Sequence, residues 1–239
     1  MTAGGGKSRL ATTRWTLILS AARGSGAQSA DALAALCEMY WYPVYAYIRR
    51  RGYATDAARD LTQGFFTRLL EHEVLATADR ERGRFRSFLL AAVQHFLANE
   101  YDREQARKRG GGVQFVQLDF ESGEERYAAE PGLTPEALYE RRWALTLLND
   151  ALRDLESESD RRGDREQLAA LKPFLAGSDR PLRDVAQELG MTEGALRVAL
   201  HRLRRRFASR IRSRIADTVS SLEEIEAEIA YLMKAVGRG

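Results

Sequence analysis

The stretch RDVAQELGMTEGALRVALHRLRRRF, Arg183–Phe207, constrains the fold more than any other part of the chain. Two short helices that cross closely need a small residue at the crossing, and Ala186 supplies it. Four residues on, Gly190 offers the tight turn that a residue without a Cβ makes cheaply. Val185, Leu189 and Leu196 are spaced to fill the wedge between the helices, and Thr192 is a good N-cap for the second. That second helix is expected to bury Leu196, Ala199 or Leu200, Leu203 and Phe207, leaving Glu193, Arg197, His201, Arg204 and Arg205 on its open side. Those are the positions from which a recognition helix presents side chains to the major groove. Arg197 and His201, one turn apart, suit base edges, because arginine pairs bidentately with guanine. Arg202, Arg205, Arg206 and Arg210 suit phosphate. The plain alternative is an ordinary helical hairpin, and the arginines weigh against it.

Charge supports a polyanionic partner only through its distribution. The 239 residues carry a net charge of +3, yet the isoelectric point is about 9.1. The span Arg197–Arg214 holds eight arginines and no acid, and smaller basic clusters occupy Arg80–Arg86 and Arg103–Arg109. Such clusters suit phosphate backbones, where each contact releases counterions; a solvated helix face is the competing reading of any one of them. Cys37 is the only cysteine, which excludes a disulfide framework and a cysteine-based zinc site. The GGGKS at residues 4–8 lacks the spacing and preceding strand of a phosphate-binding loop. No nucleophile–base pair or metal cluster stands out, so neither an enzyme nor a cofactor nor a small-molecule substrate is expected. No signal peptide and no membrane-spanning apolar run is read, and the default expectation is a soluble cytoplasmic protein.

Apolar residues recur at three- and four-residue steps through most of the chain, which predicts an all-α fold. The tail 1–11 is expected to be disordered, with helical patterning from Thr13. Helices are then expected over about 30–51, 56–71 and 85–109. Pro43 should kink or break the first of these, and Gly52 should end it. The dense aromatic run Tyr40, Trp41, Tyr42, Tyr45 and Tyr47 reads as core rather than as a base-stacking platform. Residues 110–134 lack helical periodicity and read as an interdomain linker, with VQFVQLDF as a short extended piece. Thr134-Pro135-Glu136 reads as a helix start. That helix is expected to run to about residue 157, followed by a polar stretch and a helix carrying Leu168, Leu171, Phe174 and Leu175. The expectation is two helical domains, 12–109 and 135–215, with a C-terminal helical extension over 216–239.

The N-terminal half gives the helix-turn-helix a context. DAARDLTQGFFTRLLE (Asp56–Glu71), followed by GRFRSFLLAAVQHFLANEYDREQARKR (Gly83–Arg109), resembles conserved region 2 of the bacterial sigma-70 superfamily, and Arg183–Phe207 resembles its region 4.2. The matches come in the family's order, cover about 30–110 and 135–215, and show nothing like regions 1.1 or 3. The extracytoplasmic-function (group IV) class is therefore the nearest in kind. The resemblance implies a factor that binds core RNA polymerase and directs promoter recognition and transcription initiation. It implies that Asp60, Leu61, Gln63 and Phe66 dock on the β′ clamp helices. It also implies that Arg80, Arg82, Arg84, Arg86, His95 and Asn99 open and read the minus-ten element. Region 4 would read the minus-thirty-five element through Thr192, Glu193, Arg197, His201, Arg202, Arg204 and Arg205, beside the β flap. An anti-sigma factor is an optional partner. Gly64 stands where the family usually has an acid, and His95 where it commonly has Asn.

Phe65, Phe85, Phe88 and Phe96 are read as core by their spacing. In the extension, Leu222, Ile225, Ile229, Leu232 and Val236 form a stripe with four glutamates in the first turns, which suits a capping helix or a regulator-binding one. Two other function classes compete. A stand-alone helix-turn-helix repressor or activator calls for a dimerisation helix and a ligand pocket. A protein–protein adaptor calls for a recognition helix without arginines.

Overall fold

The computed structural model describes residues 27–70, 84–106, 120–127, 132–219 and 223–237. The tail 1–11, the patterning from Thr13, the VQFVQLD stretch and Leu222 lie outside the described residues. The described chain is helical: α1 Ala27–Arg50, α2 Thr55–Leu70, α3 Phe85–Ala106, α4 Phe120–Tyr127, α5 Pro135–Arg162, α6 Arg165–Leu171, α7 Leu182–Glu188, α8 Glu193–Ala216 and α9 Glu224–Val236. A 3-10 turn, Lys172–Leu175, follows α6. No described helix is long and apolar enough to cross a membrane.

The helix bounds follow their local chemistry. Thr134 caps α5, its hydroxyl accepting from the Ala137 amide at 3.2 Å, with Pro135 in the first turn where a missing N–H costs nothing. The same helix ends at Gly163, whose φ of +72° is the left-handed C-cap that a side chain would strain. It therefore runs through the stretch expected to be a polar break. Pro43 lies inside α1 without ending it. The proline and its neighbours Tyr42, Val44, Tyr45, Ala46, Tyr47 and Ile48 are all buried, and that packing holds the helix across the lost hydrogen bond.

Two buried clusters organise the molecule. The first joins α1, α2 and α3 to the first half of α5, through Leu138, Tyr139, Trp143, Ala144 and Leu147, and to Ile215, Val219, Leu232 and Ala235 near the C-terminus. The aromatic run is core, as its spacing implied: Tyr40, Tyr42, Tyr45 and Tyr47 are buried. Trp143 is fully buried among them, and truncating a residue of that size in a packed core costs about 3–5 kcal/mol. The second cluster is Leu155, Leu168, Leu171, Phe174, Val185, Ala186, Leu196, Leu200 and Leu203.

The cores do not divide at residue 135. Helix α5 has 28 residues, about 42 Å at 1.5 Å per residue, and it serves both. Its first half packs on α1, while Leu155 enters the second cluster. The end of α8 and helix α9 then return to the first core.

The span read as a linker also contains structure. Helix α4 lies on α1, with Gly123 against Trp41 and Phe120 edge-on to Trp41 and Tyr45 at 5.6 and 5.4 Å. Glu124 accepts from Arg49 at 2.6 and 3.0 Å and from the Tyr45 hydroxyl. An eight-residue helix has too little length to show a period. It is held here by its docking on α1 rather than by propensity.

Candidate nucleic-acid interface

The helix-turn-helix has the geometry its residue sizes imply. Val185 and Leu196 are fully buried between α7 and α8, Ala186 sits at the crossing at 2% exposure, and Leu189 packs at the edge. Gly190 makes the turn with φ +61°, and the Met191 amide donates to the Ala186 carbonyl at 2.8 Å to close it. Thr192 caps α8, accepting from the Ala195 amide at 3.2 Å. Between Ala199 and Leu200, Leu200 is the more buried, and Phe207 packs at the cluster edge.

This framework leaves Thr192, Glu193, Arg197, His201, Arg202, Arg204 and Arg205 exposed on α8. Arg197 is held by Glu193 one turn back at 2.5 Å, an exposed pair worth a few tenths of a kcal/mol that a better partner displaces readily. Arg202, Arg204 and Arg205 make no ion pair with any described residue. They form a cationic ridge beside Arg197 and His201.

The later arginines are spent internally. Arg206 and Arg210 hold Glu158 of α5 at 3.0 and 3.2 Å, and Arg214 holds Asp154 at 2.7 Å and Asp150 at 3.4 Å. The Arg206 hydrogen bond comes first among the causes that keep the Glu158 carboxyl below its ordinary range. Arg206 and Arg210 therefore fasten α8 to α5 rather than standing ready for phosphate. A groove of about 470 Å3 lies between α6 and α8, floored by Leu171, Met191 and Leu203 and edged by Arg162 and Arg202.

On α3, His95 and Asn99 are both exposed, and the amide nitrogen of Asn99 lies 3.1 Å from His95 Nδ1. The two side chains share one face of α3, a turn apart. Arg80 and Arg82 lie outside the described residues. Arg84 and Arg86 depart from the expectation of an open cationic groove. Arg84 Nε lies 2.9 Å from Glu228 Oε2. Arg86 is 6% exposed, pairs with both carboxylate oxygens of Glu228, lies 3.6 Å from Glu140, and stacks over Tyr231 at 3.8 Å and Trp143 at 5.1 Å. Burial pulls its guanidinium pKa down, but the hydrogen bonds and charge of Glu228 outweigh that and raise it above the ordinary arginine value. Arg86 is thus a buried cation in this conformation, because an acid from α9 and two aromatic faces enclose it.

The helix expected to dock on polymerase is divided in the same way. Asp60 is exposed, and Leu61 and Gln63 are half-buried, Leu61 against the first core. Phe66 is fully buried, with its ring 5.3 Å from Phe65, and does not present a docking surface. The buried set Ala58, Thr62, Phe65, Phe66 and Leu69 shows why: the four-residue step Ala58–Thr62–Phe66 is a core line as good as Leu61–Phe65–Leu69. Gly64 faces Phe96, whose ring would lie 3.7 Å from an added Cβ.

The counter-charges Glu140, Glu158 and Glu228 are not legible as partners of these arginines, since nothing local in the sequence ties them to residues 48 or more positions away. A comparison of the chain with family models, curated proteins and solved structures finds no match.

Proposed function

We propose that this chain is an extracytoplasmic-function-type sigma factor that binds core RNA polymerase and directs sequence-specific promoter recognition. One observation carries the reading: a capped, tightly turned helix-turn-helix whose second helix exposes Arg197, His201, Arg202, Arg204 and Arg205 together. That arrangement suits a helix laid in the major groove, with Arg197 and His201 toward base edges and Arg202, Arg204 and Arg205 toward phosphate. The resemblance of Asp56–Glu71 and Gly83–Arg109 to sigma region 2 turns a general DNA-binding unit into a promoter reader. Asp60, Leu61 and Gln63 would contact the β′ clamp helices, and His95 and Asn99 the minus-ten strand. The proposed place of work is the cytoplasm, where core polymerase and promoter DNA are found.

A second reading, a stand-alone helix-turn-helix regulator, is favoured by one observation. Phe66 and Arg86, both assigned by the family resemblance to partner contacts, are buried here. Titration of labelled chain with purified core polymerase separates the two. The sigma reading expects a stable complex weakened by Asp60→Ala, and the regulator reading expects none while DNA binding persists.

A further inference from the structure

Arg84 and Arg86 share one carboxylate, Glu228, that comes from the far end of the chain, while Glu140 of α5 lies 3.6 Å from Arg86 alone. Glu228 is 1% exposed. Its Oε2 lies 2.9 Å from Arg84 Nε and accepts from Arg86 Nη2 at 3.3 Å, while its Oε1 accepts from Arg86 Nε. An oxyanion divided between two guanidinium groups is the contact that a backbone phosphate makes with arginine. The segment leading into α9 covers the same place, since the Thr218 carbonyl accepts from the Phe85 amide at 3.0 Å, at the first turn of α3. A buried charge network of this kind is poor evidence of a purely stabilising role, because apolar residues of similar volume commonly hold a core as well or better.

Beyond Glu228, α9 is anchored by Leu232 and Ala235, which are buried in the first core, and by Arg141, which donates to the Val236 carbonyl at 2.6 Å; its other contacts are partial. It has 13 residues, too few to persist as a helix in water without a surface to lie on. Ile225, Ile229 and Tyr231 pack only partly, Met233 is exposed, and the outer bridge Arg212–Glu226 is solvated on both sides. Exposed bridges of that type contribute little.

We propose that α9 is an intrachain latch: Glu228 occupies the phosphate position of Arg84 and Arg86, and its displacement opens that part of the DNA face. The inference rests on the DNA-binding reading above. In the latched form only α8, with His95 and Asn99 on α3, faces DNA. In the unlatched form the two arginines at the start of α3 join them.

The test compares wild type, Glu228→Gln, Glu228→Gln/Arg84→Ala and Arg197→Ala in the full-length chain, with helicity checked by circular dichroism. The probe is a fluorescent duplex of mixed sequence with a central unpaired bubble. A latch predicts that Glu228→Gln binds about fivefold more tightly or better, as one added phosphate contact does at moderate salt, and that adding Arg84→Ala removes the gain. Unchanged or weaker binding by Glu228→Gln, with Arg197→Ala still impaired, overturns the latch and leaves the DNA reading standing. Absence of binding by every protein overturns both. If Glu228→Gln does not fold, hydrogen exchange of the wild-type chain decides. Loss of protection across Glu224–Val236 when the bubble duplex is added supports the latch, and unchanged protection overturns it.

Discussion

Arg86 of α3 and Glu228 of α9 meet as a buried ion pair across 142 residues of sequence. Their union fastens the C-terminal helix to the first core. Removing one partner strands the other charge, so Arg86→Leu is expected to lower stability in urea denaturation by about 3 kcal/mol. The double variant Arg86→Leu/Glu228→Leu is expected to regain part of that loss, since the most deeply buried charges go together and Arg84 and Glu140, which lose a partner, both reach solvent. Additive losses would contradict the pairing.

If α8 lies in the major groove as proposed, its exposed face divides into base-reading and phosphate-holding positions. Arg197→Ala is expected to cost about 1–3 kcal/mol on the preferred sequence and to relax discrimination at one base pair. Arg204→Ala and Arg205→Ala are expected to weaken all sequences alike, each lowering the salt slope of binding by about 1. A selected-sequence binding assay at several salt concentrations checks both.

Backbone conformation makes two glycines respond in opposite directions. Gly190 has φ +61°, so Gly190→Ala is expected to destabilise by about 1–2 kcal/mol although nothing lies within 4 Å of the new Cβ. Gly64 is helical, and its added Cβ would make ordinary contact with Phe96 at 3.7 Å. Gly64→Ala is therefore expected to stabilise by about 0.5–1 kcal/mol. Thermal denaturation of the two variants reads both signs.

Acid should weaken the docking of α4 on α1. The hydrogen bonds from Arg49 come first among the causes that lower the Glu124 carboxyl from 4.5 to about 2, with the Tyr45 hydroxyl contributing. A depressed folded-state pKa gives stability that is complete above the unfolded value and is lost as pH falls from about 4.5 through about 2. Trp41, which packs on Gly123 and Phe120, reports the undocking by fluorescence. Glu124→Gln is expected to abolish that acid transition.

What the sequence made legible was periodic or local. The long helices, the Thr134 and Thr192 caps, the Gly190 turn and the aromatic core run follow from spacing and residue size within one or two turns. Helix α4 escaped because eight residues hold barely two turns and its stability lies in contacts with Arg49, Tyr45 and Trp41 some 75 residues away. The boundary at residue 135 failed because periodicity shows that a helix has an apolar face and not which core that face enters; α5 enters both. Arg86 and Arg206 looked like phosphate ligands for the same reason. A basic run shows where charge is, while the acids that neutralise it, Glu228 and Glu158, arrive from other helices. Phe66 lies one position outside the apolar line Leu61–Phe65–Leu69 of α2.

If this chain carries promoter specificity to RNA polymerase, as proposed, it sets where core polymerase starts. Run-off transcription from a library of genomic fragments, with core polymerase and the purified chain, tests it most directly. Transcripts are expected from a small set of discrete start sites that need the chain and fall sharply with Arg197→Ala. Transcription no different from core polymerase alone would contradict it.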